Sequence, residues 1–174
     1  MAEPPTKAKR PRQPKTKKQE RYPLWSMLSS RHKDVLSLLK EHDLNFKFHN
    51  DDVSTSCIET WDTNIMGRFS CRNDGCDSRG WPSKAIATTI RLYPGARYNA
   101  RIYHQRCMRC LTTGRLEEVD ESYVERVSYW LKRWSGVEVQ APQRSYQKTR
   151  APHQKDLCEG CRAGHCKLGE EAKF

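Results

Sequence analysis

The stretch that decides the fold reads SKAIATTIRLYPGARYNARIYHQRCMRC and spans residues 83–110. Apolar residues alternate with polar ones in both halves, which predicts two β-strands joined by Pro94-Gly95-Ala96. The two apolar faces lie on the same side of the hairpin if Tyr93 pairs with Arg97, so that the numbers of paired residues sum to 190. The sequence therefore predicts an antiparallel hairpin in a defined register.

Continuing this register predicts that cysteines gather at one end of the sheet. Cys107 falls opposite Ser83 and Cys110 opposite Gly80, close to the loop CRNDGC that precedes the hairpin. Zinc binds four thiolates in a tetrahedron, and paired knuckles are its usual structural ligands. The other interpretation is reduced thiols buried as small hydrophobic residues. We predict a zinc-ribbon site with the ligands Cys71, Cys76, Cys107 and Cys110.

A second cysteine cluster, HQKDLCEGCRAGHC, occupies residues 153–166. Cys158 and Cys161 form a Cys-x-x-Cys pair and Cys166 follows, so three thiolates need a fourth partner. We favour His153, because His165 adjoins Cys166 and adjacent side chains diverge. His165, a ligand from elsewhere, and a cross-brace between this pair and an earlier knuckle stay open. In the favoured interpretation the chain binds two zinc ions.

The composition favours metal ligands over disulfides. The chain has 174 residues, enough for one main domain, and eight cysteines. Its N-terminus lacks the apolar run of a secretory signal, and no window approaches eighteen uninterrupted apolar residues. We therefore expect a cytoplasmic or nuclear protein with no membrane span, in a compartment where thiols stay reduced.

Positive charge is concentrated in a few segments. The formal net charge is +11, of which residues 1–21 carry +6 in a Pro-rich stretch without large aliphatic residues after Met1. This composition predicts a disordered basic tail that binds phosphates, serves as a nuclear import signal, or is only a solvated arm. Further candidate contacts to RNA or DNA lie in the hairpin and the linker, unless these residues only keep the domain soluble. They are Arg97, Arg101, Arg106, Arg144, Lys148 and Arg150.

The remaining segments predict an α+β fold, in which a small antiparallel sheet with zinc-ribbon-like hairpins is flanked by helices. Helical spacing predicts an N-terminal helix, either continuous or broken into two near Ser29 and Ser30. It also predicts a later helix with a capping box from Ser122 to Glu125 and a stop at Gly136. Period-two alternation predicts short strands around residues 50–52. The predicted divisions are a tail 1–21, a zinc-binding domain 22–166 with helix 23–43, sheet and knuckles 45–112, helix 122–135, linker 141–152 and C-terminal knuckle 153–166, and a tail 167–174.

Several motifs together resemble the 3CxxC-type zinc finger, a domain also found in receptor-transporting proteins. They are GRFSC (67–71), YNARIYHQRCMRC (98–110), SYVERVSYWLKRW (122–134) and PHQKDLCEGCRAGHC (152–166). The resemblance implies zinc binding through the six knuckle cysteines, with His153 and Cys166. It also implies either nucleic-acid binding or assistance to membrane receptors on their way to the cell surface. Receptor-transporting members typically carry a C-terminal membrane anchor, which the sequence up to Phe174 does not predict.

We expect a non-catalytic module that binds nucleic acid or protein, with a soluble adaptor or chaperone for membrane receptors as the alternative. Catalytic zinc keeps an open position for water, whereas sites with four protein ligands are closed. The chain contains no HExxH motif and no deaminase signature. Cys57 lies outside every knuckle, and a lone cysteine on an alternating segment is usually buried and inert rather than a nucleophile.

Overall fold

The computed structural model describes residues 22–142 and 152–170. The predicted disordered tail 1–21 lies outside the described residues, as do positions 143–151 of the predicted linker and positions 171–174. The described part contains six strands and four α-helices. They are β1 (Trp25–Ser26), α1 (His32–Leu39), β2 (Lys47–Phe48), β3 (Glu59–Ser70), β4 (Trp81–Tyr93), β5 (Arg97–Tyr103), β6 (Arg115–Val119), α2 (Glu121–Trp134), α3 (Glu159–Arg162) and α4 (Lys167–Glu170).

The six strands form one sheet in the order β1-β5-β4-β3-β6, with β2 also paired to β5. The β4–β5 hairpin has the predicted register, because Tyr93 pairs with Arg97 and Thr88 with Ile102. All pairings are antiparallel except that of β2 with β5. The α+β class and the antiparallel sheet are therefore confirmed.

One face of the sheet packs against α1 and α2. Ile86 and Ile90 of β4 are fully buried there with Val127 and Leu131 of α2. Asp120 caps the N-terminus of helix α2, and its carboxylate accepts a hydrogen bond from the Ser122 amide at 2.9 Å. An aspartate at this position satisfies an amide that has no partner within the helix. This face forms the main apolar core.

The opposite face is polar and carries the C-terminal segment. Because side chains alternate along a strand, Ala87, Thr89 and Arg91 of β4 point away from the helices. Arg91 and Arg101 both form ion pairs with Asp52, whose side chain is only 3% exposed. Buried charges are tolerated when they are paired in this way.

Three predictions need correction. Helix α1 is much shorter than the predicted helix 23–43, because Trp25–Ser26 forms strand β1 against β5 and 3₁₀ turns flank the helix. Residues 54–56 form a 3₁₀ turn rather than a strand. The cap of α2 is Asp120, since the Ser122 hydroxyl accepts a hydrogen bond from the Met66 amide of β3 instead.

Candidate metal centres

The first group of donor atoms contains Cys71, Cys76, Cys107 and Cys110. Their four sulfurs lie within 4.8 Å of one another. The Sγ atoms of Cys71 and Cys110 are 3.5 Å apart, and those of Cys76 and Cys107 are 3.9 Å apart. The structure thus brings together all four residues that the sequence proposed for the zinc-ribbon site.

Hydrogen-bonded turns hold these cysteines in place. In the first knuckle, the Cys76 amide donates to the Asn73 carbonyl at 2.9 Å. In the second, the Leu111 amide donates to the Cys107 carbonyl at 2.8 Å and the Cys107 amide to Thr112 at 2.9 Å. Leu111 has a φ of +60°, a left-handed conformation that non-glycine residues seldom adopt. Backbone geometry therefore fixes the knuckle.

The second knuckle does not extend the strand ladder as predicted. The pairing between β4 and β5 ends at Thr88 and Ile102. The Gln105 side chain instead donates hydrogen bonds to Ser83 Oγ at 2.9 Å and to the Ala85 carbonyl at 3.1 Å. A side chain thus replaces the expected ladder and still brings Cys107 and Cys110 back to the first knuckle.

The second group contains His153, Cys158, Cys161 and Cys166. Its donor atoms also lie within 4.8 Å of one another, and His153 Nε2 is 3.1 Å from Cys161 Sγ and 3.5 Å from Cys166 Sγ. His165 lies outside the group, because its Nδ1 is 3.0 Å from Asp62 and its ring stacks on Tyr103. Among the described residues, the Cys158–Cys161 pair joins His153 and Cys166 rather than an earlier knuckle.

Close packing seats this second group on the polar face of the sheet. A Cβ atom on Gly160 would lie 2.2 Å from the Cβ of Ala87, so only glycine allows this approach. The Glu159 amide donates to the His104 carbonyl at 3.0 Å, and its carboxylate pairs with Arg106 at 2.5 Å. The C-terminal knuckle is therefore an integral part of the fold.

A stack of four side chains links the same region to helix α2. Lys167, which follows Cys166, places its Nζ 3.5 Å from the centre of the Trp61 ring. Trp61 stacks on Trp130 at 4.1 Å, and the guanidinium of Arg133 lies 5.6 Å from the Trp130 ring. Cation–aromatic contacts of this kind stabilise partly exposed surfaces. The faces of these two rings are thus occupied within the chain.

Both groups fit a tetrahedral zinc ion. With Zn–S bonds of about 2.3 Å and Zn–N bonds of about 2.0–2.1 Å, neighbouring donors of a tetrahedral site are about 3.5–3.8 Å apart. The sulfur separations of 3.5 and 3.9 Å and the nitrogen–sulfur separations of 3.1 and 3.5 Å lie within about 0.4 Å of this range. Thiolates and imidazole are the donors that zinc prefers.

In each group some thiols hold their proton tightly and others lose it readily. Burial raises the pKa of Cys71 to about 12. Hydrogen bonds from Cys158 and, to a smaller extent, from His153 lower the pKa of Cys166 to about 4. A metal must displace the remaining protons before every sulfur can bind it. We therefore expect metal affinity to fall as the pH falls.

The candidate phosphate contacts of the hairpin have partners within the domain. Arg101 pairs with Asp52, Arg106 pairs with Glu159, and Arg97 donates to the Pro94 carbonyl at 2.8 Å. The linker candidates Arg144, Lys148 and Arg150 lie outside the described residues. The described residues hold 20 Lys/Arg and 18 Asp/Glu, a formal charge of +2, whereas residues 1–21 carry +6 and residues 143–151 carry +3. Positive charge is thus concentrated outside the described fold.

Sequence reasoning missed two buried polar residues. Asp52 pairs with arginines 39 and 49 residues away in the chain, so no local spacing signals it. His104 is fully buried, with Nε2 2.7 Å from Ser26 Oγ. Cys57 lies outside both groups, and its thiol donates to the Ser54 carbonyl at 3.0 Å.

Comparison with known proteins agrees with the metal geometry. The family model of the 3CxxC zinc ribbon, described as a zinc-binding domain, matches residues 64–164, more than half of the chain. No curated protein and no solved structure gives a match. Among the described residues, no helix has both the length and the apolar character needed to cross a membrane. The family match and the two donor groups support two zinc ions.

Proposed function

The chain belongs to the 3CxxC zinc-ribbon family, and we propose that it is a non-catalytic binding module whose two zinc ions hold its fold together. The ligands that we assign to the first ion are the sulfurs of Cys71, Cys76, Cys107 and Cys110. Those assigned to the second are His153 Nε2 and the sulfurs of Cys158, Cys161 and Cys166.

One observation carries the structural role of the metal: each group supplies four protein donors within 4.8 Å of one another. Four protein ligands complete the tetrahedron of zinc and leave no position for a water molecule. Structural zinc sites contribute roughly 10–16 kcal/mol of apparent binding free energy to folding. This is at least as large as the typical net stability of a small domain, about 5–15 kcal/mol.

Native mass spectrometry of the full chain tests the ligand assignment. We expect two zinc ions in the wild type, one in Cys110→Ser and one in His153→Ala. The matched controls are Cys57→Ser and His165→Ala, which replace the same residue types outside the two donor groups and should retain two ions. A single ion in His165→Ala together with two in His153→Ala would overturn the assignment of the fourth ligand.

We propose nucleic acid as the partner, and the distribution of charge supports this choice. Zinc with four thiolates contributes −2 and zinc with three thiolates and a neutral histidine −1, so the described fold with both ions is close to neutral. The basic residues of segments 1–21 and 143–151 are thus the main source of attraction for phosphates. The paired arginines of the hairpin contribute less.

Affinity for RNA and DNA fragments at increasing salt concentration tests this proposal. Each phosphate contact adds about 0.7–0.9 to the slope of log affinity against log salt, so deletion of residues 1–21 should flatten the plot and weaken binding strongly. Replacement of Arg97 by Ala should change the slope by one contact or less. Recovery of a membrane receptor at high salt, without affinity for nucleic acid, would instead favour the adaptor function.

A further inference from the structure

The second knuckle of the first metal group presents two exposed apolar side chains, an unusual feature for so rigid a turn. Met108 is 70% exposed and Leu111 is 58% exposed. Among the described large hydrophobic residues only Ile58, at 60%, has a comparable exposure. Met108 follows Cys107 and Leu111 follows Cys110, on a turn held by a hydrogen bond from the Leu111 amide to the Cys107 carbonyl. The Met108 sulfur also accepts a hydrogen bond from Gln154 Nε2 at 3.7 Å. We call Met108 and Leu111 the knuckle tip.

Leu111 combines an exposed side chain with a left-handed backbone. Its φ of +60° is favourable for glycine and strained for a residue with a Cβ atom. Its exposed side chain also contributes little to the core. The knuckle turn requires this conformation, so it holds the Leu111 side chain in a fixed and exposed position.

The position of the knuckle tip relates it to the basic arm. Arg72 of the first knuckle lies over the ring of Tyr22, with 5.2 Å between the guanidinium carbon and the ring centre. Tyr22 is the first described residue after segment 1–21, which carries +6. The basic arm therefore joins the domain at the same end as the knuckle tip.

The knuckles themselves are not basic. Arg72, Arg79 and Arg109 exceed Asp74 and Asp77 by one positive charge, and Arg109 lies 3.6 Å from Asp77. Zinc with four thiolates contributes −2 and offsets this excess. The knuckle tip thus offers apolar contact, while the arm that starts beside it offers charge. A partner that suits this combination has closely spaced phosphates next to apolar surfaces.

We propose that the knuckle tip is an apolar wedge that enters the minor groove of duplex DNA and partly separates two stacked base pairs, while the basic arm binds the adjoining phosphates. This inference rests on the nucleic-acid binding proposed above. Methionine and leucine are typical wedge residues, and their insertion unstacks a base step and bends the duplex.

Single-stranded nucleic acid fits the described surface less well. Its binding sites stack unpaired bases on free aromatic faces. Trp61 and Trp130 are stacked on each other and are covered by Lys167 and Arg133. The knuckle tip has no aromatic ring. Its aliphatic side chains suit insertion between base pairs rather than a stacking platform.

The test uses the zinc-loaded full chain and a DNA duplex of about three helical turns that carries a fluorescent dye at each end and a central 2-aminopurine. Energy transfer between the dyes reports bending, and 2-aminopurine emission reports unstacking. The test variant is Met108→Ser/Leu111→Gly. Glycine suits the backbone at position 111, so this variant should fold and keep both zinc ions. The matched control is Ile58→Ser, which removes an equally exposed apolar side chain elsewhere.

We expect the wild type and Ile58→Ser to bend the duplex and raise 2-aminopurine emission. The double variant should bind with the same salt dependence, which the arm determines, but lose both the bend and the emission change. An unchanged bend in the double variant, or tighter binding to single strands than to the duplex, would overturn the wedge while leaving nucleic-acid binding intact. If the wild type binds no nucleic acid, both the proposed partner and the wedge are rejected. If it instead captures an acidic protein, and this capture depends on the knuckle tip, the knuckle tip is a protein-binding site and not a wedge.

Discussion

Replacement of Asp52 by Asn should destabilise the domain more than almost any other change of a single charge. Asp52 forms ion pairs with both Arg91 and Arg101, and its side chain is 3% exposed while that of Arg91 is 4% exposed. Asparagine keeps the shape of the side chain and removes its charge. Arg91 then remains buried without a counter-charge, and breaking one partner of such a pair costs about 3–5 kcal/mol.

Urea denaturation of the zinc-saturated protein, followed by circular dichroism, measures this loss. For a domain of this size it corresponds to a fall in the melting temperature of roughly 10–15 °C. The control is Asp34→Ala, because Asp34 pairs with Arg31 but is 53% exposed. Exposed pairs contribute less than about 1 kcal/mol. Adding Arg91→Met to Asp52→Asn removes the stranded charge and should recover part of the loss.

The reasoning would be refuted if Asp52→Asn were as stable as Asp34→Ala at equal zinc content. It would also be refuted if adding Arg91→Met to Asp52→Asn lowered the free energy of unfolding further, by as much as the loss of a buried side chain costs. Either result would mean that Arg91 is solvated well enough to dispense with Asp52.

Three further predictions concern the metal-bearing end. Gly160→Ala should weaken zinc binding at the second site, because the new Cβ would lie 2.2 Å from the Cβ of Ala87. Competition with a chelator measures the zinc affinity. Gly75→Ala serves as the control, since its Cβ would meet only Asn73 Oδ1 at 3.4 Å. Burial lowers the pKa of His104 from 6.5 to about 4. As the pH falls from 6.5 to 4, His104 takes up a proton in the unfolded chain before it does so in the folded chain, so the free energy of unfolding should fall by up to roughly 3 kcal/mol. His104→Gln should remove this part of the pH dependence, and urea titrations at matched zinc content measure it. Chelation of the second ion should alter tryptophan emission by releasing Lys167 from Trp61, and Trp61→Phe but not Trp25→Phe should suppress that change.

The sequence predicted the β4–β5 register because two alternating segments and a short turn leave only one pairing that puts both apolar faces together. It also identified the cysteines of both groups, because Cys-x-x-Cys pairs have the spacing of zinc ligands. Strand β1 escaped prediction, since its two residues are defined by their pairing with Tyr103 and Ile102 rather than by any period of their own. Asp52 escaped for a related reason, because only the folded chain brings it to its arginines.

The two donor groups close chain segments of very different length, which affects how each group can assemble. Cys71 and Cys110 are 39 residues apart and meet only after both strands of the hairpin exist, whereas His153 and Cys166 are 13 residues apart. A short stretch of nascent chain can therefore capture the second ion on its own, and then dock as a preformed unit near Asn64 and Asp62, more than 100 residues upstream. During synthesis the donors of the first group are all present once Cys110 has been added and those of the second once Cys166 has been added, so the first site can bind zinc before the second.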